Sequence, residues 1–103
     1  MIDLLEQHRQ QIADICQKYR VKRLEVFGSA VRGDFDPDAS DVDFLVEFLD
    51  DGWEHAADNW FGLLESLEKV LDRRVELVSA PDVKNQYFLE VANRTRTELY
   101  AAA

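Results

Sequence analysis

Residues 26–48 read VFGSAVRGDFDPDASDVDFLVEF, and their reading decides the fold. A β-type run stops at Gly28, a Gly-Ser pair and a lone Arg32 follow, and the stretch ends in a dense apolar run. Five aspartates lie within it, at 34, 36, 38, 41 and 43. The stretch is either a solvated acidic loop between two strands or a place where metal and phosphate meet. What each Asp can reach separates the two.

Upstream, Leu5, Ile12, Ile15, Cys16 and Tyr19 recur at helical spacing and predict an amphipathic helix over 2–20. RLEVFG then switches to a short strand ended by Gly28. SAVRG reads as one helical turn stopped by Gly33, and DFDPDAS as loop, because Pro37 and the density of Asp disfavour both periodic structures. DVDFLVEFL is apolar enough for a strand in the middle of a sheet. Residues 50–55 are turn-like around Gly52. Downstream, Trp53, Ala57, Trp60, Phe61, Leu64, Leu67 and Leu71 mark a second long helix, with Asp58 near its start. RRVELVSA is a third strand, closed by Pro81. Phe88, Val91, Ala92, Thr95 and Leu99 predict a last helix over 85–100. The order gives an α/β layer of about three central mixed strands flanked by helices.

The chain has 103 residues, 47% of them hydrophobic, which suits one domain (1–103) with a single core. Its net charge of −9 argues against direct nucleic-acid binding, which needs clustered Lys and Arg. The same charge means that a phosphate-bearing ligand needs a cation to bring it in. The single cysteine, Cys16, falls on the apolar side of the first helix and reads as a small core residue in a cytoplasmic chain. No signal peptide or membrane span is expected.

Gly28 directly after a strand lets backbone approach a ligand, and the N–H groups of the following turn favour an anion. Ser29 can add a hydroxyl donor. Alone this junction is common, and a tight turn with a Ser cap is the simpler reading of it. Asp41 and Asp43 change the balance. Two apart on a strand, they share a face, and their carboxylates can converge on divalent cations. Mg²⁺ accepts one or two carboxylates, waters and substrate phosphates. An exposed edge strand with a polar face is the bland alternative, but Leu45 on the same face and Val42, Phe44, Val46 and Phe48 on the other point to burial on both sides. Glu76 sits mid-strand in RVELV, so a third carboxylate joins the pair if the two strands are neighbours. Taken by itself, Glu76 reads more simply as a solvent-facing residue on a half-exposed strand. Two other patterns fail. A calcium loop from Asp36 to Glu47 would need Gly where Asp41 stands, and the RGD tripeptide at 32–34 is too short to carry meaning.

Gly28-Ser29, Arg32-Gly33-Asp34 and Ser40-Asp41-x-Asp43 with the apolar run after it resemble the signature of the DNA polymerase β-like nucleotidyltransferase superfamily. The length places the chain near the minimal nucleotidyltransferases, the MNT-domain antitoxins paired with HEPN-domain ribonuclease toxins. LLESLEKVLDRRVELVSA and NQYFLEVANRTRTELY extend the resemblance over almost the whole chain. It implies a small nucleotidyltransferase-type domain that transfers a nucleoside monophosphate from a triphosphate, with ATP as substrate. By position, Gly28 and Ser29 hold the triphosphate, Asp41 and Asp43 bind two Mg²⁺, and Glu76 takes the third acidic place as metal ligand or proton acceptor. That place more usually holds Asp. Arg32 either steadies the phosphates or pairs with Asp34, and Ser40 either contacts a phosphate or caps the turn.

A chain this short needs its acceptor presented by something else. The resemblance implies a HEPN toxin partner, silenced by adenylylation of a tyrosine, and Trp53, Trp60 and Tyr87 are candidate contacts, although such aromatics are more often core. Two rivals stay open: an antitoxin that only covers its toxin, and a small-molecule nucleotidyltransferase that builds its acceptor pocket as an oligomer.

Overall fold

A computed structural model describes residues 3–28, 41–49, 55–79 and 97–102. The expectations for SAVRG, DFDPDAS, the turn at 50–54 and the tail over 85–96 lie outside the described residues. In chain order the elements are helices α1 (Asp3–Gln7) and α2 (Arg9–Lys18), strands β1 (Val21–Phe27) and β2 (Val42–Phe48), helix α3 (Ala56–Leu71), and strands β3 (Val75–Ser79) and β4 (Thr97–Ala101).

The strands form one mixed sheet in the order β3-β2-β1-β4. β1 runs antiparallel to both β2 and β4, whereas β3 runs parallel to β2. A parallel neighbour needs a crossover, and α3 supplies it. β2 is central, as its near-continuous apolar run requires. Its even positions Val42, Phe44 and Val46 are fully buried in the main core, together with Val21, Leu24 and Val26 of β1 and Leu5, Ile12, Cys16, Leu63, Leu67 and Leu71 of the helices. The helices therefore cover one face of the sheet. On the opposite face, Phe27, Leu45 and Val78 make a small second cluster.

The expected first helix is divided at His8. His8 Nδ1 lies 2.8 Å from the Leu4 carbonyl oxygen, and the His8 N–H donates to Leu5 O at 3.3 Å, so the backbone tightens before α2 begins. The buried stripe nevertheless continues through Leu5, Ile12 and Cys16. Burial pushes the Cys16 thiol up from 9.0 to about 12, so it stays a neutral core group. Glu6, Arg9, Gln10 and Lys18 are exposed on the outer face.

The second helix presents a face rotated from the expected one. Leu63, Leu67 and Leu71 are buried, Trp60 packs half-buried against Phe48 with ring centroids 6.4 Å apart, and Phe61 is 59% exposed. Gly62 lets α3 approach α2 closely, because a Cβ there would overlap the Tyr19 ring. Trp60 thus packs, partly buried, against the core, and Trp53 and Tyr87 lie outside the described residues.

The last helix is the clearest correction. Its expected end, residues 97–100, is instead part of β4, whose Glu98 and Thr97 pair with Glu25 and Val26. Among the described residues the sheet has four strands, one more than the three or so expected. Among the described residues no helix is long and apolar enough to cross a membrane.

Candidate active site

The C-terminal end of β1 and the N-terminal ends of β2 and β3 meet at one end of the sheet. There Asp43 pairs across the antiparallel ladder with Phe27 and across the parallel ladder with Glu76. Residues opposed in register share a face, so Asp43 and Glu76 project to the side away from the helices. That is also the side of the Phe27–Leu45–Val78 cluster. By alternation Asp41, just before β2, belongs to the same side.

Gly28 closes β1 with φ +77°, a left-handed conformation that L side chains rarely adopt. A Cβ at this position would stand 3.0 Å from Asp43 Oδ2. The glycine thus does two things: it turns the chain, and it leaves room for the Asp43 carboxylate against bare backbone. Gly28→Ala is expected to cost about 1–2 kcal/mol from the backbone alone and to displace the Asp43 carboxylate. Nucleotide transfer should fall at least tenfold while the melting transition stays cooperative, which paired activity and thermal-melting measurements check.

Asp41 is half exposed and its Oδ1 lies 3.4 Å from Arg74 Nε. Arg74 is held at the start of β3 by its backbone, since its carbonyl accepts from the Val42 N–H at 3.0 Å. The next residue is held too, as Val75 N–H donates to Glu68 Oε2 at 3.4 Å. Glu76 is exposed on β3, which is an edge strand among the described residues. Exposure explains how an acid is tolerated there, and register sets it beside Asp43. Among the described residues no three His, Cys, Asp or Glu side chains stand close enough to hold a metal by themselves. Their chemistry still suits Mg²⁺, which takes hard oxygen ligands and fills its shell with water and substrate phosphate rather than an all-protein cage.

Ser29, Arg32 and Ser40 lie outside the described residues. The sequence reading singled out neither Arg74 nor Glu25. Among the described residues Glu25 is the buried charged one, 8% exposed, on the same side of β1 as Phe27. Its signal was an acid set inside the otherwise apolar run LEVF. Arg74 gave none, because a basic pair before a strand is ordinary surface composition.

The family model described as a nucleotidyltransferase domain matches residues 8–100. A Methanocaldococcus jannaschii protein assigned as a protein adenylyltransferase, MJ1379, is 33% identical over 85 residues, covering 82% of this chain and 80% of its own length. A second from the same organism with the same assignment, MJ0128, is 33% identical over 87 residues, with the same coverage of both chains. Among solved structures, one assigned as a minimal nucleotidyltransferase superposes with a TM-score of 0.69 at 30% identity and 92% coverage of both chains. A toxin-antitoxin crystal structure with AMP-PNP superposes with a TM-score of 0.66 at 19% identity, over 91% of this chain and 73% of that one, and shares the fold. The chain belongs to the nucleotidyltransferase domain family, and its activity class is nucleotidyl transfer.

Proposed function

We propose that this nucleotidyltransferase is the antitoxin of a toxin-antitoxin pair. In this reading it acts in the cytoplasm, transferring AMP from ATP to a tyrosine of a HEPN-domain ribonuclease partner with the help of Mg²⁺. The observation that carries the reading is the position of Asp43, set between Gly28 on one strand and Glu76 on the next, with Asp41 two residues upstream. The names of the relatives MJ1379 and MJ0128 supply the acceptor class, a protein.

Each residue has a task in this scheme. Asp41 and Asp43 would hold Mg²⁺ through carboxylate oxygens, and the cation would supply the positive charge that offsets repulsion between a triphosphate and a −9 chain. Gly28 offers backbone where the phosphates approach, and Ser29 adds a hydroxyl. Arg32 and Ser40 steady the phosphates further. Glu76 is close enough in register to serve as a third ligand or to take the proton of the acceptor hydroxyl. That oxygen bonds to the α-phosphorus as the bond to the β-phosphate breaks, and pyrophosphate leaves. Positioning and charge neutralisation do most of the work in such a step.

Intact-mass spectrometry of a HEPN partner incubated with this protein, Mg²⁺ and ATP tests the proposal. A gain of one AMP unit is expected, located on tyrosine by fragmentation and absent with the Asp41→Ala, Asp43→Ala double variant. If that variant neutralises a co-expressed toxin as well as wild type, neutralisation is by binding and the enzymatic account of it fails.

A further inference from the structure

The ion pair between Arg74 and Asp41 assigns Arg74 a part in the site that its surface position conceals. We propose that Arg74 is an exchangeable cation: it neutralises Asp41 before metal arrives, then moves to a phosphate of the bound triphosphate. The inference rests on the nucleotidyl-transfer reading of the site and deepens it.

Three observations lead there. Arg74 Nε stands 3.4 Å from Asp41 Oδ1, on the side of the sheet that carries Asp43 and Glu76. Its backbone is fixed by the Val42–Arg74 hydrogen bond, while its side chain is 81% exposed. A fixed base with a long, solvent-exposed side chain suits a group that changes partners. Asp41 is 42% exposed, so the pair is of the solvent-screened kind that contributes little and is readily displaced.

Electrostatics gives the exchange its direction. Without metal, Asp41, Asp43 and Glu76 concentrate negative charge at one end of a −9 chain, and a guanidinium there lowers their mutual repulsion. Mg²⁺ binding to Asp41 removes the reason for Arg74 to stay. A triphosphate held by the same cation would offer the side chain phosphate oxygens in exchange, and guanidinium matches a phosphate in a forked geometry that ammonium lacks. Arg73 Nε, one residue earlier, is buried without a hydrogen-bond partner, so Arg74 is the basic side chain of that pair seen making an ionic contact.

The exchange predicts opposite movements of two affinities in one variant. In Arg74→Gln, Mn²⁺ without nucleotide, followed by its electron paramagnetic resonance signal, is expected to bind about two- to fivefold more tightly, because its competitor is gone. AMP-PNP with Mg²⁺, followed by calorimetry, is expected to bind about tenfold or more weakly. Arg74→Lys should recover part of the AMP-PNP affinity. A residue that merely supports the fold would move both affinities the same way or neither. Any pattern in Arg74→Gln other than opposite movement overturns the proposal. If wild type itself binds neither Mn²⁺ nor AMP-PNP, the nucleotidyl-transfer reading falls and takes this inference with it. If wild type binds both and Arg74→Gln changes neither, only this inference falls.

Discussion

Asp43→Asn is expected to lower the rate of AMP transfer by roughly three orders of magnitude while the protein still melts cooperatively. The change removes a charge and keeps the shape, so packing beside Gly28 is retained while affinity for a hard cation is lost. Asp43 occupies the central strand between two neighbours, so no other described carboxylate can take its place in register. Single-turnover transfer from α-labelled ATP measures the effect. A loss confined to KM with an unchanged maximal rate would mean that Asp43 only assists substrate binding. Glu76→Gln should cost less, since an exposed edge-strand side chain is more easily replaced by water in a metal shell.

Phe44→Ala is the largest stability effect expected, about 3–5 kcal/mol. Phe44 is fully buried at the centre of β2, beneath the helices, and its truncation leaves a cavity bounded by both layers. Domains of this kind have a total stability of only about 5–15 kcal/mol, so the variant should sit close to unfolding at 37 °C. Urea titration of wild type and variant gives the difference. Phe61→Ala is the control: with the ring 59% exposed, its effect should stay within about 0.5 kcal/mol. A Phe44→Ala loss as small as that of Phe61→Ala would contradict the layer arrangement.

The same residues show what sequence can and cannot say. β2 was legible because alternation and apolar density agree there: Val42, Phe44 and Val46 go to the helices, Leu45 to the other face. Asp41 and Asp43 stood out as candidates because two acids at the head of such a strand conflict with its composition. The parallel pairing that sets Glu76 opposite Asp43 was not, since register between distant strands leaves no local mark. β4 was missed for a physical reason. Thr95 and Leu99 stand four apart as on a helix, yet TELYA is short and carries Thr and Tyr, which fit a pleated surface equally well. The open edge of β1 decides the matter by pairing with it. The division at His8 was hidden because no Gly or Pro marks it. On α3, Leu63 and Leu64 are adjacent and equally apolar, so the expected stripe ran through Leu64, whereas packing in the core buries Leu63. Arg74 comes to the candidate site only through its contact with Asp41, which no spacing encodes.

The most direct measurement is crystallographic: anomalous scattering from Mn²⁺ in crystals of the protein with AMP-PNP. The account predicts a Mn²⁺ peak within coordination distance of a carboxylate oxygen from both Asp41 and Asp43, with the triphosphate on the Gly28 side of the ion. Mn²⁺ and nucleotide bound elsewhere, with the two carboxylates facing water, would contradict it.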